Sequence, residues 1–104
     1  MSTTPKVAVI AKLPAKPGQR DQLAEAFKAA IANAESEEGT LSYILLADFG
    51  DENALWVYET YTDEAALIAH STSDAFKAIG GGLAPFMGGR PEIIRLTPLA
   101  GKGL

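Results

Sequence analysis

A chain of 104 residues, 47% hydrophobic and 21% charged, has the size and balance of one ordinary globular domain. Without cysteine it has no disulfide framework, no thiolate nucleophile and no sulfur-bound metal. Its net charge of −4 and scattered Lys and Arg leave no basic patch for nucleic acid, and no apolar run approaches the roughly 20 residues of a membrane span.

Met1-Ser-Thr-Thr-Pro-Lys6 lacks the charged and apolar regions of a secretory leader, so a cytoplasmic location is expected. A single domain over residues 1–104 is expected too, with residues 1–5 and 99–104 as flexible tails. Lys6 to Leu13 alternates loosely around Val7, Val9, Ala11 and Leu13 and suits a strand buried on both faces. Pro14 and Pro17 cannot donate to a ladder, so Pro14 to Gly18 should break it. From Gln19 to about Glu35 the apolar positions Leu23, Ala24, Phe27, Ala30, Ile31 and Ala34 form one helical stripe, with Arg20, Asp21, Glu25 and Lys28 mostly outside it. Glu37-Glu38-Gly39-Thr40 closes that helix, although two carboxylates there oppose its dipole. Leu41 to Phe49 and Ala54 to Thr62 are β-rich and flank the turn-like Gly50-Asp51-Glu52-Asn53, which predicts a hairpin. A second helix should start after Thr62 or Asp63, both good caps, and run through Ala65 to His70. Thr72 to Ile79 suggests a further turn or short helix. Gly80-Gly81-Gly82 and Gly88-Gly89 suggest a mobile loop around Leu83 to Met87, and Glu92 to Leu96 a last strand.

The order β-α-β-β-α-β predicts an α+β, ferredoxin-like domain, an antiparallel sheet with helices on one face. Tyr43-Ile-Leu-Leu46 and Leu55-Trp-Val-Tyr58 are apolar at successive positions, so both faces of their strands want cover. One small domain cannot cover both, and a homodimer stacked sheet against sheet would.

In the third strand Leu55, Val57, Glu59 and Tyr61 share one face and Trp56, Tyr58 and Thr60 the other. His70, the only histidine, falls on the same helical face as Ala66 and Leu67. If Glu59 faces the helices, it can meet His70 and orient the imidazole for moving a proton to or from a phenol. An ion pair that only fixes the second helix on the sheet is the plainer reading of the same residues. The Gly80 to Gly89 segment, with Phe86 and Met87, reads either as a lid over an apolar pocket or as a plain connection. Phe27, Tyr43, Trp56, Tyr61, Phe76, Phe86 and Met87 are candidates for the wall of a ring-binding pocket, although most such aromatic residues serve as core. Arg90-Pro91 reads as a surface turn. No metal-ligand spacing, nucleophile elbow, phosphate loop or dinucleotide fingerprint is present.

Strand-Tyr58-Glu-Thr-Tyr61, then Asp63-x-x-Ala66-Leu67-x-x-His70 and Ser73-x-x-Phe76, resemble the antibiotic biosynthesis monooxygenase domain, which includes quinol monooxygenases. The resemblance extends to Ala15-Lys-Pro-Gly18, to Glu38-Gly39-Thr40 with Tyr43, and to the segment from Leu83 to Pro98. It implies a dimeric α+β barrel. It also implies oxygenation without a cofactor, in which an electron-rich phenol, quinol or anthrone supplies the electrons to molecular oxygen. The protein then needs only to bind the small aromatic substrate, take its proton, stabilise the anion and exclude water. His70 would be the proton-transfer residue, Glu59 its orienting partner, and Tyr43 and Tyr61 hydrogen bonders to the substrate oxygen. Haem-degrading relatives of the fold resemble this chain in Ser73-Asp-Ala-Phe-Lys77, but the places of their asparagine, tryptophan and iron-binding histidine hold Ala11, His70 and Gly80 here. Two other readings stay open: a small-ligand-binding or stress-associated dimer without turnover, and an isomerase of a small carbonyl compound using the same His and Glu.

Overall fold

A computed structural model of the chain describes residues 4–104. The elements run β1 (Val7–Pro14), α1 (Arg20–Glu35), β2 (Thr40–Ala47), β3 (Ala54–Tyr61), α2 (Glu64–Thr72), α3 (Asp74–Leu83) and β4 (Glu92–Leu96), with a 3-10 turn at Ala84–Phe86. The strands form one antiparallel sheet in the order β2-β3-β1-β4. This is the ferredoxin-like arrangement expected from the sequence, with α3 added between α2 and the last strand. The expectation of a loose N-terminus falls partly on residues 1–3, which lie outside the described residues.

Strand β1 carries one residue further than expected. Pro14 closes it opposite Ala54, where its missing N–H costs little, and its carbonyl accepts the Gly88 N–H at 2.8 Å. The core lies between α1 and the central strands. Leu23, Phe27 and Ala30 pack on Ala11, Leu13, Leu55 and Val57, all buried. Alternation along β3 therefore puts Leu55, Val57, Glu59 and Tyr61 on the helix side, which settles the face that periodicity left open.

Among the described residues no helix lies over the other face of the sheet. Ile44, Leu46, Tyr58, Ile94 and Leu96 remain between 38 and 51% exposed. Ala8 and Thr60 are buried on that face, beside the C-terminal segment, whose residues 101–104 line shallow clefts with Ala8, Tyr58 and Thr60.

The segment from Gly80 to Gly89 corrects the sequence expectation of a mobile loop. Gly80, Gly81 and Gly82 continue α3 to Leu83, and the stretch after it is tied to the end of β1. Lys16 N–H donates to the Phe86 carbonyl at 2.9 Å, and Met87 bridges to Ala15. Ile79, Leu83, Phe86 and Met87 pack against the core, so the apolar stripe that begins with Phe76 outweighs the poor helix propensity of three glycines. Among the described residues no helix is long and apolar enough to cross a membrane.

Candidate active site

His70 comes from the last turn of α2. The helix is placed at its start by Asp63, whose carboxylate accepts the Ala66 N–H at 2.8 Å. It is placed at its end by Ser73, whose hydroxyl donates to the His70 carbonyl at 3.0 Å and accepts the Phe76 N–H at 3.1 Å. One serine thus closes α2, opens α3, and sets Phe76 against the imidazole, edge on at 5.2 Å between ring centres. Tyr43 and Tyr61 flank the same ring at 5.3 and 5.5 Å. The imidazole is 4% exposed.

The carboxylate that His70 engages is Glu37, not Glu59. Nδ1 lies 2.7 Å from Glu37 Oε1, which also accepts the Thr40 hydroxyl at 2.9 Å. Glu37 sits in the turn between α1 and β2, which Thr62 N–H ties to the end of β3 by donating to the Gly39 carbonyl at 2.9 Å. A carboxylate can only accept, so Nδ1 donates to Glu37, and Nε2 is the ring nitrogen not committed to that bond. Nε2 makes no hydrogen bond among the described residues, so it is the nitrogen available to a ligand. The sequence signal for Glu37 was its unfavourable place at a helix C-terminus, which reads as a cost until the imidazole facing it is known.

Glu59 occupies the same interior but a different bond. The Tyr61 hydroxyl donates to its Oε1. Burial pushes the Glu59 carboxyl above the ordinary glutamate range; the Tyr61 hydrogen bond and the His70 charge pull it down, and the Glu37 charge pushes it up. The phenols of Tyr43 and Tyr61 are likewise raised, in both cases chiefly by burial, and both are neutral at physiological pH.

A cavity of about 240 Å³ opens beside His70 and Glu59. Val9 and Ile93 form its sheet floor, Leu67, Ile68 and Ser71 its α2 wall, and Phe76 its α3 end. Arg95, absent from the sequence reading, stands at its rim on β4. Of the wall residues expected from the sequence, only Phe76 lines this cavity together with His70 and Glu59. Tyr43 and Tyr61 lie behind the imidazole, not against the cavity, and Tyr61 is fully buried with its hydroxyl given to Glu59. Phe27 stacks on Tyr43 at 5.6 Å within the core. Trp56 is on the opposite face of the sheet, where its indole N–H donates to Asp48 at 2.7 Å. That bond holds the exposed Asp48 carboxyl down at about 2. Phe86 and Met87 pack at the far end of the core and do not form a lid over this cavity. Among the described residues no group of three or more His, Cys, Asp or Glu is placed to hold a metal ion.

The family model described as antibiotic biosynthesis monooxygenase matches residues 6–80, a span that takes in Glu37, Glu59 and His70 and ends within α3. A solved structure from Caulobacter crescentus, described as a candidate antibiotic biosynthesis monooxygenase, is 29% identical with a TM-score of 0.84, over 94% of this chain and 93% of that one. A protein of unknown function from Nitrosomonas europaea is 29% identical with a TM-score of 0.84, over 97% of this chain and 96% of that one. One from Pseudomonas aeruginosa is 27% identical with a TM-score of 0.81, over 96% of this chain and 100% of that one.

Proposed function

Because the chain belongs to the antibiotic biosynthesis monooxygenase family, we propose that it oxidises a small electron-rich phenol or quinol with molecular oxygen in the cavity beside His70. The observation that carries this reading is the Glu37–His70 pair: a buried imidazole with one nitrogen committed to a carboxylate, on a residue that lines a cavity with an apolar middle. Such a group is built to take a proton. A phenol bound with its hydroxyl at Nε2 gives up that proton and becomes a phenolate, whose ring is rich enough in electrons to reduce oxygen. A bond forms between oxygen and a ring carbon bearing hydrogen, and the O–O bond then breaks. One oxygen atom stays as the new carbonyl of a quinone. The other leaves as water with the phenolic proton, returned by His70, and the displaced ring proton. The ring supplies all four electrons, so no further reductant enters. Glu59, which keeps its proton to higher pH than an ordinary glutamate, can relay the second of these protons, giving its own to the departing oxygen and taking the displaced ring proton in its place.

The cavity volume of about 240 Å³ falls below the roughly 300–1,000 Å³ of sites for drug-sized ligands. That favours one or two rings over tricyclic anthrones. We further propose that the working form is a homodimer stacked through the open sheet face, since Ile44, Leu46 and Ile94 are otherwise left in water.

Oxygen uptake by purified, metal-free protein with hydroquinone, methylhydroquinone and anthrone, each against its autoxidation blank, tests the reaction. Uptake above the blank is expected for the single rings and is expected to fall about 10²–10⁴-fold in His70→Ala. Glu37→Gln is expected to lower kcat with little change in KM. Nitrogen NMR should then show the imidazole as a mixture of tautomers, because an amide can either accept from a protonated Nδ1 or donate to a bare one. No uptake with any substrate overturns the oxygenase reading and turns attention to an isomerase or a binding protein. Uptake unchanged in His70→Ala removes His70 from the mechanism.

A further inference from the structure

Four residues stand in one transverse row on the helix side of the sheet. Tyr43 on β2 is in register with Glu59 on β3, Glu59 with Val9 on β1, and Val9 with Arg95 on β4. Neighbouring strands are about 4.8 Å apart, so Arg95 is rooted roughly 10 Å from Glu59. The interval between them is floored by Val9 and walled by Leu67, Ile68 and Phe76. The cavity is therefore polar at the His70 and Glu59 end, apolar along its middle, and cationic at the β4 end. Arg95 is the one arginine or lysine in its lining among the described residues.

The inner groups satisfy one another: Glu37 holds His70, and Tyr61 donates to Glu59. Arg95 is outside that network. Its partner is Glu64 on the first turn of α2, Nη2 to Oε1 at 3.3 Å, with side chains 56 and 65% exposed. A pair so exposed contributes little, because water screens it and two long side chains must be held in place. It yields easily to an anion offered from the cavity, because the guanidinium fork matches a carboxylate with two parallel N–H bonds. The displaced Glu64 carboxylate is 65% exposed and is left to water.

The geometry points to a substrate that is itself acidic: a phenol or quinol ring bearing a carboxylate, with its hydroxyl at His70 Nε2, its ring between Val9 and Phe76, and its carboxylate on Arg95 in place of Glu64. This inference rests on the cavity being the substrate site, the reading given above. It adds the residue that would choose among substrates. In a chain of net charge −4, Arg95 also supplies the local attraction that such an anion needs to enter.

Binding measured without oxygen separates this inference from the oxidation itself. Nitrogen-labelled protein is titrated anaerobically with hydroquinone and with its carboxylated counterpart, dihydroxybenzoate, following the imidazole and guanidinium signals. Dihydroxybenzoate is expected to bind about tenfold or more tighter, the scale of one hydrogen-bonded charge pair. Arg95→Gln should abolish the preference, Arg95→Lys should keep part of it, and Glu64→Gln should enlarge it by removing the competing carboxylate. Equal affinities in the unaltered protein, a preference that survives Arg95→Gln, or no binding of either probe overturns the inference. A preference that depends on Arg95 without any oxygen uptake keeps the acidic ligand and rejects the oxygenase reading. Uptake with no such preference does the reverse.

Discussion

Glu37 and Glu59 are both carboxylates beside one imidazole, and their surroundings give them different states. Glu37 is partly open to solvent, bonds Thr40, and faces Nδ1 of His70. Glu59 is buried, and burial is the largest influence on it, so it holds its proton more tightly in the folded protein than in the unfolded chain. The consequence for stability has a definite sign. A carboxyl raised on folding contributes stability that is fully present below the unfolded glutamate value and is lost as pH rises through the raised native value. Glu59→Gln cannot titrate and should lack that loss. Thermal midpoints measured from about pH 4 to about pH 8 are expected to fall more for the unaltered protein than for the variant. Parallel curves would show that Glu59 ionises as readily inside as out. Sequence alternation was enough to put Glu59 on one face with Tyr61. It was blind to Glu37, which meets His70 from 33 positions away in the chain.

Two sets of glycines separate what a turn requires from what a helix tolerates. A Cβ built on Gly39 would lie 2.5 Å from the Ala66 Cβ, because the turn carrying Glu37 is pressed against α2. Ala66 is short and belongs to a helix, so either the turn or the helix has to move. Gly39→Ala is expected to lower stability by about 1–3 kcal/mol, as overpacking does. It should also displace Glu37 from His70, visible as a changed imidazole spectrum, and an unchanged spectrum would mean the turn is not what aligns the pair. Gly80, Gly81 and Gly82 are the opposite case. A Cβ at any of them meets nothing within 4 Å. Gly81→Ala is therefore expected to raise stability by roughly 0.5–1 kcal/mol in denaturant unfolding. No gain would mean that α3 frays there in solution. The stripe of Phe76, Ile79 and Leu83 that holds this helix is present in the sequence, but local propensity argues against a helix through three glycines and only packing on the core reverses it.

The molecule measures 43 × 31 × 19 Å, and its short axis is the thickness of one sheet and one layer of helices. A two-layer domain buries one face of its sheet and leaves the other, and here the other carries Ile44, Leu46, Ile94 and Leu96. Two such faces stacked would hide these residues. Light scattering is expected to give twice the chain mass, and Ile44→Asp to give a monomer, since the substitution would place a charge within the stacked face. A monomeric unaltered protein would mean that some other cover, or none, lies over the sheet. Because the cavity lies on the helix side, the monomeric variant should keep its folded spectrum and the imidazole signals of His70.

Composition, periodicity and turn residues were sufficient for the order of the four strands and first two helices, the antiparallel ferredoxin-like sheet and the helical face of His70, because each follows from neighbours a few positions apart. The face taken by Glu59 is different: alternation says which residues travel together, and only the packing of α1 on β1 and β3 says which set goes inside. The tertiary structure alone decided that Glu37 is the partner of His70, that Phe86 and Met87 stand away from the cavity, and that Arg95 stands at its rim. Each of these depends on contacts between elements far apart in the chain. Such contacts are set by strand register and helix packing, which no local pattern of residues encodes by itself.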